Sequence, residues 1–228
     1  MHPSPQSAWE RIGVDTKIEK PLIAGPAGML EALLELDPGA NPPLVTMVCH
    51  PHPAYGGTMH NKIVFHAAKA AIQLGLPTLR FNFRGVGISE GEFADGIGEQ
   101  NDALAALDFL QTRFPNTPVC MMGFSFGAWV GLAVGAPDRR VIALVGLGLP
   151  IALLDFDFLH DVRKPKLIVQ ATHDIYGPRE QVDNLFKALQ KPKRLHWVAG
   201  VDHFFTGRLN EVQTVVGDFL QKIVTAGR

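Results

Sequence analysis

The 228-residue chain carries 21 Lys and Arg against 22 Asp and Glu, for a formal net charge of −1. This balance lacks the basic footprint of a nucleic-acid-binding protein, and no apolar run reaches the roughly 18 residues of a membrane span. The N-terminus has no apolar signal segment, and Cys49 and Cys120 lie in apolar runs typical of buried thiols in a reducing compartment. We therefore expect a cytoplasmic protein with one domain over 1–228, in which 1–16 is an N-terminal extension.

The first predicted elements are two strands, residues 17–23 and 29–36, which form an antiparallel hairpin around a Gly-Pro turn. Short apolar strands then alternate with helical stretches, which indicates βαβ units and a mainly parallel sheet with helices on both faces. The predicted strands cover 44–49, 77–83, 118–122, 141–147, 166–171 and 193–199. The predicted helices cover 61–74, 99–113, 128–135, 179–190 and 206–223.

Two stretches, GISEG (residues 87–91) and GFSFG (residues 123–127), fit the pattern G-x-S-x-G. This pattern marks a serine nucleophile on a sharp turn between a strand and a helix, with small residues where the two pack closely. In GFSFG the strand ends directly before Gly123 and a helix follows Gly127, so the sequence favours Ser125 as the nucleophile. An incidental serine in a glycine-rich turn is the alternative.

GISEG lacks this context, because three residues separate it from the preceding strand and an acidic, glycine-rich loop follows it. We therefore expect Ser89 to line the site as a substrate contact. The same loop begins like a dinucleotide-binding motif at Gly85 and Gly87, but Glu90 stands at the last glycine position and no helix opens there. We expect no cofactor.

A serine hydroxyl needs a general base, usually a histidine that a carboxylate orients. His203 lies in the loop between the last strand and the last helix and is our predicted base, whereas His173 and His196 are weaker candidates. For the carboxylate we favour Asp174, directly after the strand KLIVQA. The alternatives are Asp155 and Asp157, while Asp202 adjoins His203 in sequence and is a poor orienting group.

The oxyanion hole of such a site uses the N–H after the nucleophile and a second N–H from an earlier loop. The first is that of Phe126. The second is expected in residues 50–57, where Pro51 and Pro53 have no N–H, so His52 is preferred and Tyr55 is the alternative. The histidines of this loop lack the spacing of a metal motif, and we expect no metal.

Together, the stretches HPHPAYGGTMHNK, RFNFRGVGISEGEF, GFSFG, THD and VDHFF resemble a family of small bacterial α/β hydrolases similar to dienelactone hydrolases. The resemblance runs from about residue 20 to the C-terminus. It implies the α/β-hydrolase fold, a Ser125–Asp174–His203 triad and carboxylic-ester hydrolysis. Dienelactone hydrolases carry cysteine at the nucleophile position, so Ser125 favours ordinary esters over a dienelactone.

Residues 150–165 are too few for a separate lid domain and are expected to form a short cap-like loop. Within them Phe156 and Phe158 are predicted to contact substrate, as are Ser89 and Phe124, although the two loop phenylalanines fit a core or dimer role equally well. We expect a small-molecule ester with a short acyl chain as substrate. A serine peptidase or amidase, a non-catalytic binding scaffold and a haloperoxidase-like activity are the alternatives, and a homodimer stays open.

Overall fold

The computed structural model describes residues 16–39 and 41–226. The proposed extension 1–16 therefore lies, except for Thr16, outside the described residues. Within the described ranges, one sheet contains nine strands: β1 (Lys17–Glu19), β2 (Leu22–Gly25), β3 (Gly28–Leu36), β4 (Val45–Cys49), β5 (Thr78–Phe81), β6 (Val119–Phe124), β7 (Val141–Leu147), β8 (Lys166–Ala171) and β9 (Lys193–Val198).

The strand order is β1-β3-β5-β4-β6-β7-β8-β9, and β2 pairs with β3 beside this path. All pairs from β5 to β9 are parallel, whereas β1, β2 and β5 each pair with β3 in antiparallel fashion. The chain first builds outward from β4 to β5 and then returns to add β6 on the other side of β4. Ligands of open α/β sheets bind at such a switch point, beyond the carboxyl ends of the strands.

Five helices cover the two faces of the sheet: α1 (Lys62–Ile72), α2 (Ile97–Arg113), α3 (Phe126–Gly135), α4 (Arg179–Ala188) and α5 (Leu209–Ala226). Helices α1 and α5 share one apolar core with side chains from the central strands, among them Val48, Met122 and Val145. Helices α2, α3 and α4 contribute to the core on the opposite face. This arrangement confirms the predicted fold class, a mixed, mainly parallel sheet with helices on both faces.

Two of the differences between predicted and observed element boundaries have a clear physical cause. The first predicted strand is split at Lys20–Pro21 into β1 and β2, because proline has no N–H for the ladder. The last helix begins at Leu209 instead of Thr206, since Gly207 takes a left-handed backbone conformation with φ of 75° and ends the preceding turn. None of the helices among the described residues is long and apolar enough to span a membrane.

Candidate active site

Ser125 sits at the junction of β6 and α3, at the carboxyl edge of the sheet. Strand β6 ends at Phe124 and α3 begins at Phe126, so a single residue makes the turn. Ser125 has φ of 56° and ψ of −124°, a conformation that costs a non-glycine residue about 1–3 kcal/mol. The turn is held by the Ser125 N–H, which donates to the Leu147 carbonyl of β7 at 2.9 Å.

The two glycines of GFSFG are required by the close approach of three backbone segments. A Cβ on Gly123 would lie 2.2 Å from the Gly127 carbonyl oxygen, which is inside the van der Waals limit. A Cβ on Gly127 would lie 2.2 Å from the His50 carbonyl oxygen. The start of α3 therefore packs directly on the end of β4 and on the loop that follows it, so loop 50–57 lies beside Phe126.

His203 bridges Ser125 and Asp174. Its Nε2 lies 2.9 Å from Ser125 Oγ, and its Nδ1 lies 2.7 Å from Asp174 Oδ2. A carboxylate only accepts, so Nδ1 carries the proton and donates it to Asp174, which leaves Nε2 free to accept the serine hydroxyl proton. The three predicted residues, brought from β6, β8 and β9, form one continuous chain of hydrogen bonds.

The Asp174 carboxylate is buried and fully engaged. Its Oδ2 accepts from His203 and from the Gln170 side-chain amide at 2.7 Å, and its Oδ1 accepts the N–H groups of Tyr176 at 2.9 Å and Gly177 at 3.2 Å. Four donors thus satisfy the hydrogen-bonding capacity of a residue that is only 5 % exposed. This network fixes the carboxylate rigidly beneath the imidazole.

The other candidate carboxylates and histidines lie in different networks. Asp155 Oδ1 accepts the Asp157 N–H, and the Asp157 carboxylate lies 3.6 Å from His160. Asp202 turns its carboxylate to the N–H groups and hydroxyl of its own loop. His196, on β9, pairs with Glu211 of α5 at 2.9 Å.

Loop 50–57 is the segment in which we predicted the second oxyanion donor. It turns through a short 3₁₀ helix, Pro53–Tyr55, whose Ala54 N–H donates to the His52 side chain. The His52 ring packs against Phe126 with their centroids 4.7 Å apart, so this part of the loop adjoins the residue after Ser125. Burial lowers the pKa of His52, although Glu99 and Asp95 oppose the shift. Tyr55, the alternative, is 87 % exposed.

His50 is a structural residue at the end of β4. Its ring is buried; Nε2 accepts the Phe83 N–H at 3.0 Å and Nδ1 donates to the Pro51 carbonyl at 2.7 Å. The Phe83 N–H can only donate, so Nε2 of His50 is unprotonated. The ring is therefore the neutral tautomer that carries its proton on Nδ1. Burial lowers the pKa of His50 to about 4, so the ring is neutral near pH 7.

Ser89 lies in the loop between β5 and α2, where the structure gives it a connecting role. Its buried hydroxyl donates to the Asn82 carbonyl at 2.8 Å and accepts the Glu31 N–H at 2.9 Å. The first bond stays within this loop, close to the end of β5, and the second ties the loop to β3. The hydroxyl is therefore occupied within the protein, and the prediction that Ser89 contacts substrate gains no support from its surroundings.

Residues 150–165 form the connection between β7 and β8. A parallel connection must return from the carboxyl end of β7 to the amino end of β8, and this segment makes that return without a long helix. Phe156 is 1 % exposed in the core beside α3, and Trp129 Nε1 donates to the adjacent Asp155 carbonyl. Phe158 lines a depression of about 910 Å³ with Val141 and Pro165 at the opposite edge of the sheet. Neither phenylalanine covers Ser125.

Phe124 is also placed differently from the sequence prediction. Its side chain is fully buried, with its ring centroid 5.0 Å from that of His203. Directly after β7, a Cβ on Gly148 would lie 2.9 Å from Phe124 and 3.2 Å from the His203 ring. Phe124 and Gly148 therefore support the imidazole from below, and substrate cannot reach Phe124.

The rim of the site is apolar and partly exposed, a feature that the sequence analysis missed. The rings of Tyr176 and Phe204 pack on His203 with centroids 4.8 Å and 5.4 Å away, and Phe204 is 56 % exposed. On the other side Phe93 contacts His52 and Phe126 at 4.9 Å and 6.0 Å. Gln170 was missed as well, although its position four residues before Asp174 on a buried strand was a usable signal.

A serine on a strained strand–helix turn, hydrogen-bonded to a histidine that a buried carboxylate holds, is the arrangement of serine hydrolases. The family model described as an alpha/beta hydrolase domain matches residues 46–226, and the chain belongs to this family.

Two solved bacterial structures are similar over most of the chain. An alpha-beta serine hydrolase homologue from Coxiella burnetii has 38 % identity and a TM-score of 0.83, covering 89 % of this chain and 97 % of the other. A serine hydrolase without a lid from Xanthomonas campestris has 32 % identity and a TM-score of 0.82, covering 90 % and 94 %.

A curated relative matches a shorter part of the chain. The mitochondrial palmitoyl-protein thioesterase ABHD10 of Rattus norvegicus is 30 % identical over 113 residues, which are 48 % of this chain and 35 % of the rat protein.

Proposed function

We propose that the protein hydrolyses carboxylic esters through an acyl-enzyme intermediate on Ser125. The observation that carries the proposal is the chain of hydrogen bonds from Asp174 Oδ2 through His203 to Ser125 Oγ, with heavy-atom distances of 2.7 Å and 2.9 Å. These distances lie within the range required for proton transfer between a nucleophile and its general base.

In the first half-reaction Ser125 Oγ attacks the ester carbonyl carbon while His203 Nε2 takes the hydroxyl proton. Asp174 holds the imidazole in the tautomer that can accept and stabilises the imidazolium that forms. The N–H groups of Phe126 and His52 are the donors proposed for the oxyanion. His203 then protonates the departing alkoxide, and the acyl group stays on Ser125. Water attacks the acyl-enzyme through the same steps and releases the acid.

Small esters with short acyl chains are the proposed substrates, because the rim residues Phe93, Tyr176 and Phe204 are partly exposed to solvent. The apolar rings of Phe93, Tyr176 and Phe204 favour an uncharged ester over a charged one.

The experiment is a panel of p-nitrophenyl esters with acyl groups from acetyl to palmitoyl, with matched anilides to test amide cleavage. We expect the highest kcat/KM for acetyl or butyryl esters and little anilide turnover, with all turnover lost in Ser125→Ala. Faster anilide cleavage would favour the peptidase reading. Equal turnover in wild type and Ser125→Ala would overturn the proposal, and absence of turnover in both would favour a binding scaffold.

A thioester substrate is the second candidate. The curated relative from rat is named a palmitoyl-protein thioesterase. The exposed rim, including Ile175 at 76 % and Phe204 at 56 %, leaves room for an acyl group that a larger molecule carries. A palmitoylated cysteine peptide in the same panel tests this candidate. Faster turnover of that peptide than of any short ester would favour it over the short-chain proposal.

A further inference from the structure

Gln170 is a buried polar residue of β8 that contacts the Asp174 carboxylate from below. It is fully buried, and its Nε2 lies 2.7 Å from Asp174 Oδ2, the oxygen that also accepts from His203. Its Oε1 accepts the Leu149 N–H at 2.8 Å, and its Nε2 is 3.4 Å from the Leu149 carbonyl. This side chain therefore joins the end of β7 to the carboxylate.

The amide orientation of Gln170 is fixed by its partners. The Leu149 N–H needs an acceptor, while the Asp174 carboxylate and the Leu149 carbonyl need donors, so only one of the two amide orientations satisfies all three. A Cβ on Gly177 would lie 2.1 Å from Gln170 Nε2. Loop 174–177 thus packs so closely on the amide that only glycine fits at position 177.

We propose that Gln170 is a positioning residue that sets the pH range in which His203 works as a base. The inference rests on the proposed function of the triad. By donating to Oδ2, the amide competes with His203 Nδ1–H for the same oxygen and draws part of the negative charge from it. A carboxylate that accepts from fewer donors attracts the imidazolium proton more strongly. With Gln170 present, the imidazole therefore stays neutral down to a lower pH than it would if Asp174 Oδ2 accepted from His203 alone.

Few other charged or titratable groups face this network. Those in contact are Asp174, His203 and the Tyr176 ring, and Asp202 binds N–H groups of its own loop. On the β9 side Gln170 pairs in register with Trp197, over whose ring the Arg179 guanidinium lies 5.1 Å from the centroid. Gln170 is thus the side-chain donor, among the described residues, that shares Asp174 with the histidine.

The substitution Gln170→Glu has nearly the same shape and keeps an acceptor for the Leu149 N–H, but it faces Asp174 with a second carboxyl group. Two adjacent carboxyl groups share one proton, and His203 is the neighbouring base that can take it. We expect the acid limb of kcat/KM to move to higher pH by about one unit or more, with activity regained at alkaline pH. Gln170→Met should move the limb in the same direction by less.

The control is Thr46→Val, which removes the buried hydrogen bond between the hydroxyls of Thr46 and Thr78, away from the triad. It should lower Tm without moving the pH profile. If Gln170 were only structural, Gln170→Met, which removes the donor without adding a charge, would likewise lower Tm and leave the acid limb where the wild type has it. That result would overturn the inference.

Proton NMR separates this inference from the proposed function. The far-downfield Nδ1 proton of His203 reports imidazole protonation whether or not any ester is cleaved. A shifted titration in Gln170→Met without ester turnover would support the role of Gln170 and reject the esterase proposal. An unshifted titration with ester turnover intact would reject the role of Gln170 and retain the esterase.

Discussion

The segments GFSFG and GISEG match the same five-residue pattern, yet their serines have opposite surroundings. Ser125 is held in a strained turn with its Oγ 2.9 Å from an imidazole nitrogen. Ser89 lies in the loop that follows β5. Its hydroxyl makes two hydrogen bonds to backbone groups of the protein. The strand before a serine and the helix after it make the serine a candidate nucleophile. The G-x-S-x-G pattern alone does not identify the nucleophile.

The largest expected effect in this comparison is that of Ser125→Ala. We expect kcat/KM for p-nitrophenyl acetate to fall by at least about 10⁴-fold, because the proposed acyl-enzyme cannot form. Covalent labelling by a fluorophosphonate should vanish as well. Labelling that persists in Ser125→Ala and vanishes in Ser89→Ala would reverse the assignment of the two serines.

Asp174→Asn should cost nearly as much, about 10⁴-fold in kcat, because an amide facing Nδ1 permits the tautomer that cannot accept the serine proton. Asp155→Asn is the matched control, since Asp155 lies in the crossover segment and bonds to a backbone N–H there. A larger loss of kcat in Asp155→Asn than in Asp174→Asn would show that the carboxylate is wrongly assigned.

His50 connects the two serine regions and should make the stability of the protein depend on pH. Its folded pKa of about 4 lies below the ordinary value of 6.5, so on acidification the unfolded chain binds the proton first. The free energy of unfolding should therefore fall between about pH 6.5 and pH 4, by up to about 3 kcal/mol. Urea unfolding across this range measures the slope.

His50→Gln supplies an acceptor for the Phe83 N–H without a titrating group, so the contribution of His50 to the pH slope should disappear. A slope that is the same in wild type and His50→Gln would show that other groups cause it.

Ser89→Ala should have the smallest effect on catalysis and a measurable effect on stability. The Glu31 N–H would lose its acceptor, which costs about 1–3 kcal/mol for a buried group. We expect Tm to fall because the hydrogen bonds of the Ser89 hydroxyl are lost. We expect kcat/KM to change by less than about twofold because this hydroxyl is bonded within the protein. A rise in KM at unchanged Tm would restore Ser89 as a substrate contact.

The fold could be predicted largely from local pattern. Short apolar strands that alternate with helices leave few topologies, and the flanking elements of GFSFG indicated the turn at Ser125. The edge positions of Asp174 and His203 followed from the strands that precede them. These features depend on residues that are neighbours in the sequence, so one amino-acid sequence is enough to predict them.

The errors concern contacts between distant parts of the chain. Phe156 and Phe158 follow a strand end, which favoured a place near the site, but their segment has to cross the sheet to reach β8. Phe124 lies next to the nucleophile in sequence, yet the alternation of a strand turns it into the core beneath His203. The place of Gln170 on a buried strand close to Asp174 was a usable signal, but the contact itself depends on the loop that folds back over the amide.

The two cysteines have a practical consequence for chemical labelling. Cys49 and Cys120 are fully buried, and burial raises the pKa of both thiols, so neither forms a reactive thiolate near neutral pH. The folded protein should therefore be inert to alkylating reagents. Ser125→Cys would introduce a single accessible thiol beside His203, and its alkylation rate as a function of pH would report the imidazole–thiol pair without any ester substrate.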